Sequence, residues 1–166
     1  MQFELMSLSP EGIPDALEKA VRYRLLNEPS QAESICLDVL RIAPTNQTAL
    51  VTLLLALTDQ FGTEVTASRA KEVLEKIEGE YERAYYGGII FERSARARLR
   101  DAHPGVAFKA YEEFTRAMRC YEKAQTLRVS GNDDSILRWN TCARTLMQHD
   151  ELRPQPQERL ESVLDD

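Results

Sequence analysis

Residues 14–44, PDALEKAVRYRLLNEPSQAESICLDVLRIAP, decide the fold. Pro14 suits the first turn of a helix, where its missing N–H costs nothing. Leu17, Ala20, Val21 and Leu25 then recur at helical spacing, one apolar stripe on a helix expected over about 14–26. Asn27-Glu28-Pro29 stops it. Ser30-x-x-Glu33 reads as a capping box, in which hydroxyl and carboxylate each satisfy a free backbone donor of the next helix. Ala32, Ile35, Cys36, Val39, Leu40 and Ala43 carry a second stripe as far as Pro44. Two amphipathic helices joined by so short a turn bury their stripes against each other as an antiparallel pair.

The same pattern continues along the chain. A third helix, about 46–60, is apolar almost all round, which fits a helix sandwiched between neighbours. Gly62 closes it. A fourth, about 64–78, buries Ala70, Val73, Leu74 and Ile77 and ends at Gly79. A fifth, about 80–100, sets Tyr81, Ala84, Tyr85, Gly88 and Phe91 on its buried side. A sixth, about 104–129, keeps a stripe from Ala107 to Ala124 and stops near Gly131. A seventh, about 133–149, is capped by Asn132, Asp133 or Asp134 and turns Ile136, Trp139, Ala143, Leu146 and Met147 inward. No stretch alternates long enough to be a strand, so the class is all-α.

The first pair also carries a repeat pattern. Ala20, Tyr23, Ala32 and Pro44 stand where the tetratricopeptide repeat has its small residue, its aromatic, its helix-crossing alanine and its terminating proline. Cys36 replaces the usual Phe and Ala16 the usual Trp. Ala70 with Leu74, and Ala117 with Tyr121 and Ala124, repeat the second half of the motif, while Gly87 or Gly88 fits the small place on helix five. Over residues 14–148 the chain resembles the tetratricopeptide-repeat family, with degenerate repeats spaced 38 and 47 residues apart. The resemblance implies antiparallel helix pairs stacked as a short right-handed solenoid of about seven helices. It divides the chain into a repeat domain, 1–149, of about three repeats plus a final helix, and an acidic tail, 150–166. In the tail Leu160, Val163 and Leu164 form a short apolar stripe that either docks on the last pair or frays.

Composition bounds the function classes. The 166 residues carry a net charge of −6, but unevenly. Residues 1–82 have a net charge of −7, 83–144 of +5, and 145–166 of −4. Uniform nucleic-acid binding is disfavoured, while a local site for an acidic group is not. No apolar run is long enough to span a bilayer, and no basic-then-apolar signal opens the chain. Three cysteines, Cys36, Cys120 and Cys142, are an odd count without metal-type spacing, which fits a cytoplasmic, reducing setting.

No residue set has the spacing of a catalytic or metal site, so neither enzyme nor cofactor is expected. His103 and His149 lie far apart, and Asp133-Asp134 lacks the other ligands of a calcium loop. Cys142 lies near Arg138 and Arg144 but has no neighbouring His to activate it. Gly87-Gly88 falls inside a helix and reads as close packing rather than a phosphate loop. Asn46-Gln47-Thr48 is a glycosylation sequon but reads as a helix cap. Glu112-Glu113 are adjacent on a helix and do not face each other.

The informative surface lies on helix five. Tyr86, Ile89, Arg93, Arg96 and Arg100 recur at spacings of three and four on a face away from the buried side, and Arg98 lies off that line. In tetratricopeptide-like stacks the first helix of each pair lines the concave surface, which places helix five there together with Arg138 and Arg144 of helix seven. Guanidinium groups match carboxylates and phosphates. The expected partner is a protein or peptide with acidic groups, although the same face reads equally as a solvated one paired in part with Glu92 and Asp101. The family's carboxylate clamp needs Lys and Asn on successive first helices. Leu17 and Val21 stand there instead, and Asn140 alone does not supply it, so chaperone-tail recognition is not implied. Two other classes remain: self-association of acidic and basic faces, including the tail folding over its own arginines, and single-stranded RNA binding, which the flanking acidic regions disfavour.

Overall fold

A computed structural model describes residues 3–63, 65–100 and 105–154. After a 3₁₀ turn at Pro10–Gly12 come seven helices: α1 (Ile13–Leu25), α2 (Pro29–Ile42), α3 (Gln47–Asp59), α4 (Ala67–Leu74), α5 (Glu80–Leu99), α6 (Val106–Leu127) and α7 (Asp134–Gln148). Among the described residues no strand forms; a single bridge joins Phe61 to Val65. Each helix packs on the next, and α1, α3 and α5 also touch in succession. The architecture is therefore all-α and repeat-like.

Two local expectations need correction. Ser30 caps nothing, because Pro29 occupies the first helical turn and α2 starts two residues earlier than a Ser30 cap requires. Glu33 is then free to accept from Gln60 Nε2 at 2.8 Å and to pair with Arg69. The turn before Pro29 instead depends on Asn27, whose φ of 61° is the left-handed conformation that asparagine tolerates. Helix α4 is also shorter than expected, at eight residues. The chain leaves it in turns that still bury Ile77. At the start of α3, Asn46 does cap: its Oδ1 accepts from the Ala49 N–H at 2.9 Å.

The core divides along α5. Ile90 and Ala97 join α1–α4 in one cluster around Leu50, Leu54 and Leu57. Ile89 and Ala95 join α6 and α7 in a second around Phe114, Tyr121 and Cys142. With a core on each flank, α5 keeps only a narrow strip for solvent. Leu152 is 4% exposed and packs into the second cluster. Residues 155–166, including the apolar stripe at 160–164, lie outside the described residues.

Close approach of α5 to α6 depends on Gly88. A Cβ there would lie 2.5 Å from Cε1 of Tyr121, a fully buried ring. Small faces large across the helix pair, as interior packing density demands. Gly87 differs, since a Cβ there would meet only Leu74 Cδ2, at an ordinary 3.5 Å. On α7, Met147 is 74% exposed rather than inward. Among the described residues α7 packs chiefly on α6, which leaves this side chain uncovered.

Candidate functional site

Cleft residues come from the odd-numbered helices. Arg24 and Leu25 end α1, with Asn27 just beyond. Thr58 and Asp59 end α3. Glu92, Arg93 and Arg96 lie in the later turns of α5, with Arg100 following it. Arg138 and Thr141 lie on α7. Together they enclose an open cleft of about 560 Å³. The odd helices meet here because α2, α4 and α6 each lie between two of them in sequence and pack behind.

Two carboxylates organise the cleft. Asp59 accepts from Arg24 Nε at 2.7 Å through Oδ2 and from Arg93 Nη1 through Oδ1, tying α1 and α5 to α3. Glu92 is 2% exposed and accepts on both oxygens. Tyr121 donates its hydroxyl to Oε2 at 2.7 Å. Arg96 Nε donates to Oε1 at 3.1 Å, and Arg138 Nη1 reaches the same atom at 3.5 Å. A carboxylate this buried is tolerated because charged and neutral donors surround it. Arg96 also lies over the Phe114 ring, 5.7 Å from its centre. Arg100 has a carbonyl for a partner: its Nη2 donates to Phe61 O at 2.9 Å.

The crowding shows in the acidities. Although Asp59 accepts from Arg93, burial, with the charges of Arg138 and Arg24 beside it, lowers the Arg93 pKa to about 10. Burial lowers Arg138 as well, but the Glu92 charge, a hydrogen bond with Tyr85 and the Tyr121 and Tyr85 charges together outweigh it, and the net shift is upward. Burial, reinforced by Glu92, raises the Tyr121 hydroxyl, which stays protonated and donates. Cys142, buried near Glu92, is pushed up to about 12. At neutral pH it is a thiol, not a thiolate nucleophile.

The structure brings together Arg93, Arg96, Arg100 and Arg138 as expected. It separates the other three expected site residues. Ile89 is 2% exposed and part of the second core. Tyr86 is half-buried and packs against both cores. Both lie in the turns of α5 gripped from two sides, so the continuous face read from spacing is open only from Arg93 onward. Arg144 is exposed but does not line the cleft, being a turn and a half beyond Arg138 on α7. Arg98 pairs with Glu113 outside the cleft. Asp101, expected to pair with the basic face, lies outside the described residues.

Sequence reasoning missed Arg24, Asp59 and the organising role of Glu92. One signal was present: Asp59 is the only charged residue on the otherwise apolar α3. On α1 the stripe turns differently from expectation. Leu17 and Ala20 are buried, whereas Val21 and Leu25 face out, and Leu25, 83% exposed, borders the cleft.

Among the described residues no His, Cys, Asp and Glu side chains gather in a group of three or more that could hold a metal ion. No helix there is long and apolar enough to cross a membrane. No protein-family model matches the chain, and no curated protein or solved structure is similar enough to match it, so the chemistry of the cleft has to be read from its own residues.

Proposed function

We propose that the protein is a noncatalytic interaction scaffold of the tetratricopeptide-like kind, whose concave cleft receives an acidic segment of a partner protein. One observation carries the reading: five arginines, from α1 to the residues beyond α5 and α7, face a single cleft against two carboxylates. Low-dielectric walls lined by one sign of charge concentrate the field and attract the opposite sign. The exposed Leu25 at the margin adds apolar surface, suiting a peptide better than a lone ion. Stacked helix pairs form extended concave surfaces of this sort.

Fluorescence anisotropy with a labelled peptide of glutamate and leucine residues tests this. Binding is expected at low salt, weakening as salt rises. It should be lost in Arg93→Glu and retained in Arg116→Glu, which changes an exposed arginine of α6 outside the cleft. Absence of binding at low salt, or equal binding by both variants, overturns the reading.

A further inference from the structure

Elsewhere on the surface, the ion pairs that form join one arginine to one carboxylate. Arg22 meets Glu18, Arg41 meets Asp38, Arg69 meets Glu33 and Arg98 meets Glu113. In the cleft this stoichiometry breaks. Asp59 is shared by Arg24 and Arg93, Glu92 by Arg96 and Arg138, and Arg100 has only a carbonyl. Five guanidiniums against two carboxylates leave a surplus of three positive charges.

The surplus is concentrated rather than spread along the groove. Arg138, Arg24 and Arg96 all lie near enough to Arg93 to disfavour its charge. Its side chain is 26% exposed and Arg24's is 19%, so water screens the repulsion only in part. Nor are the donors used up. A guanidinium has five N–H groups. Arg24 and Arg96 each make their ion pair through Nε, and among the described residues their Nη groups have no hydrogen-bond partner. The positions of the guanidiniums are set by buried Glu92 and half-buried Asp59, so the donors are organised before any ligand arrives.

A side-chain carboxylate carries one charge and two oxygens, and the two already present leave the excess standing. A phosphate monoester carries about −1.5 to −2 at neutral pH and three strong acceptor oxygens. It can bridge guanidiniums from α1, α5 and α7 at one point, whereas successive Asp or Glu side chains place their charges apart. We infer that the cleft is a receptor for a phosphorylated side chain in a partner's peptide segment, with Arg24, Arg93, Arg96 and Arg138 as the donors. The inference rests on the proposed peptide groove and names the group that sets its affinity. At about 560 Å³ the cleft also has room for the residues flanking the phosphate.

The test uses the full chain and labelled peptide pools, degenerate except for a central phosphoserine, serine or glutamate. Inorganic phosphate and pyrophosphate serve as separate probes. The phosphoserine pool should bind at least about tenfold more tightly than the serine and glutamate pools, since charge-assisted bidentate bonds are the strong ones. Arg93→Gln should abolish that preference and Arg116→Gln should keep it. If Arg93→Gln unfolds the chain, Arg24→Lys, which keeps a cation beside Asp59 but removes the unused Nη donors, should lower the preference in a folded protein. Equal binding of the phosphoserine and glutamate pools, both above the serine pool, overturns the phosphate inference and leaves the acidic-groove reading intact; equal binding of all three overturns both. Inorganic phosphate binding as tightly as the phosphoserine pool overturns the peptide source and the groove reading with it. No binding by any probe overturns both.

Discussion

Replacing Gly88 by alanine tests how α5, α6 and the cleft are joined. A Cβ at Gly88 would lie 2.5 Å from Tyr121 Cε1, 2.8 Å from Cδ1 and 2.9 Å from Cζ. The ring is fully buried and its hydroxyl donates to Glu92, so it cannot swing into solvent. Relief needs the ring or the helix to move by about 1 Å, an overpacking that costs about 1–3 kcal/mol. Straining the Tyr121–Glu92 hydrogen bond adds about 1 kcal/mol. Against this, alanine gains about 1 kcal/mol of helix propensity over glycine. The net expectation is destabilisation by about 2 kcal/mol, or a fall in Tm of about 4–8 °C for a chain of this size. Gly87→Ala is the internal control. Its Cβ meets Leu74 at 3.5 Å, so only the propensity gain should remain and Tm should hold or rise. Thermal unfolding followed by circular dichroism measures both. A Gly88→Ala protein as stable as Gly87→Ala would refute the close approach of α5 to α6.

Three further outcomes follow. Tyr121→Phe and Glu92→Gln, unfolded in urea singly and together, should each cost about 1.5–3 kcal/mol and show a coupling above about 0.5 kcal/mol; additive costs would mean that the hydroxyl does not support the carboxylate. Asn46→Ala should cost about 1 kcal/mol through loss of the α3 cap, and an unchanged unfolding midpoint would contradict it. Cys36 and Cys142, both buried and pushed up to about 12, should resist a disulfide reagent at pH 8 until the chain is denatured. Because their folded pKa values are raised, the stability they contribute is complete below the unfolded thiol pKa and is lost as pH climbs towards about 12. Rapid labelling of either thiol in the native protein would refute their burial.

Helix number and order were legible in residues 14–148 because stripe spacing, Pro and Gly act locally: Pro29, Pro44, Gly62, Gly79 and Gly131 mark the connections in sequence as they do in space. The Gly88–Tyr121 approach was legible only as a glycine in a helix, since its partner lies 33 residues away. Part of the cleft was readable too, as Arg93, Arg96 and Arg100 share a face by helical period alone. The sequence by itself determined the all-α class, the seven helices and the basic character of α5. Only the tertiary structure decided which turns of α5 stay open, because cores on both flanks close over Tyr86 and Ile89 but not over Arg93. It alone brought Arg24 and Asp59 to that helix and made a cleft of them with the arginines. Periodicity places side chains on one helix, but the packing of α1, α3, α5 and α7 determines which side chains from different helices meet.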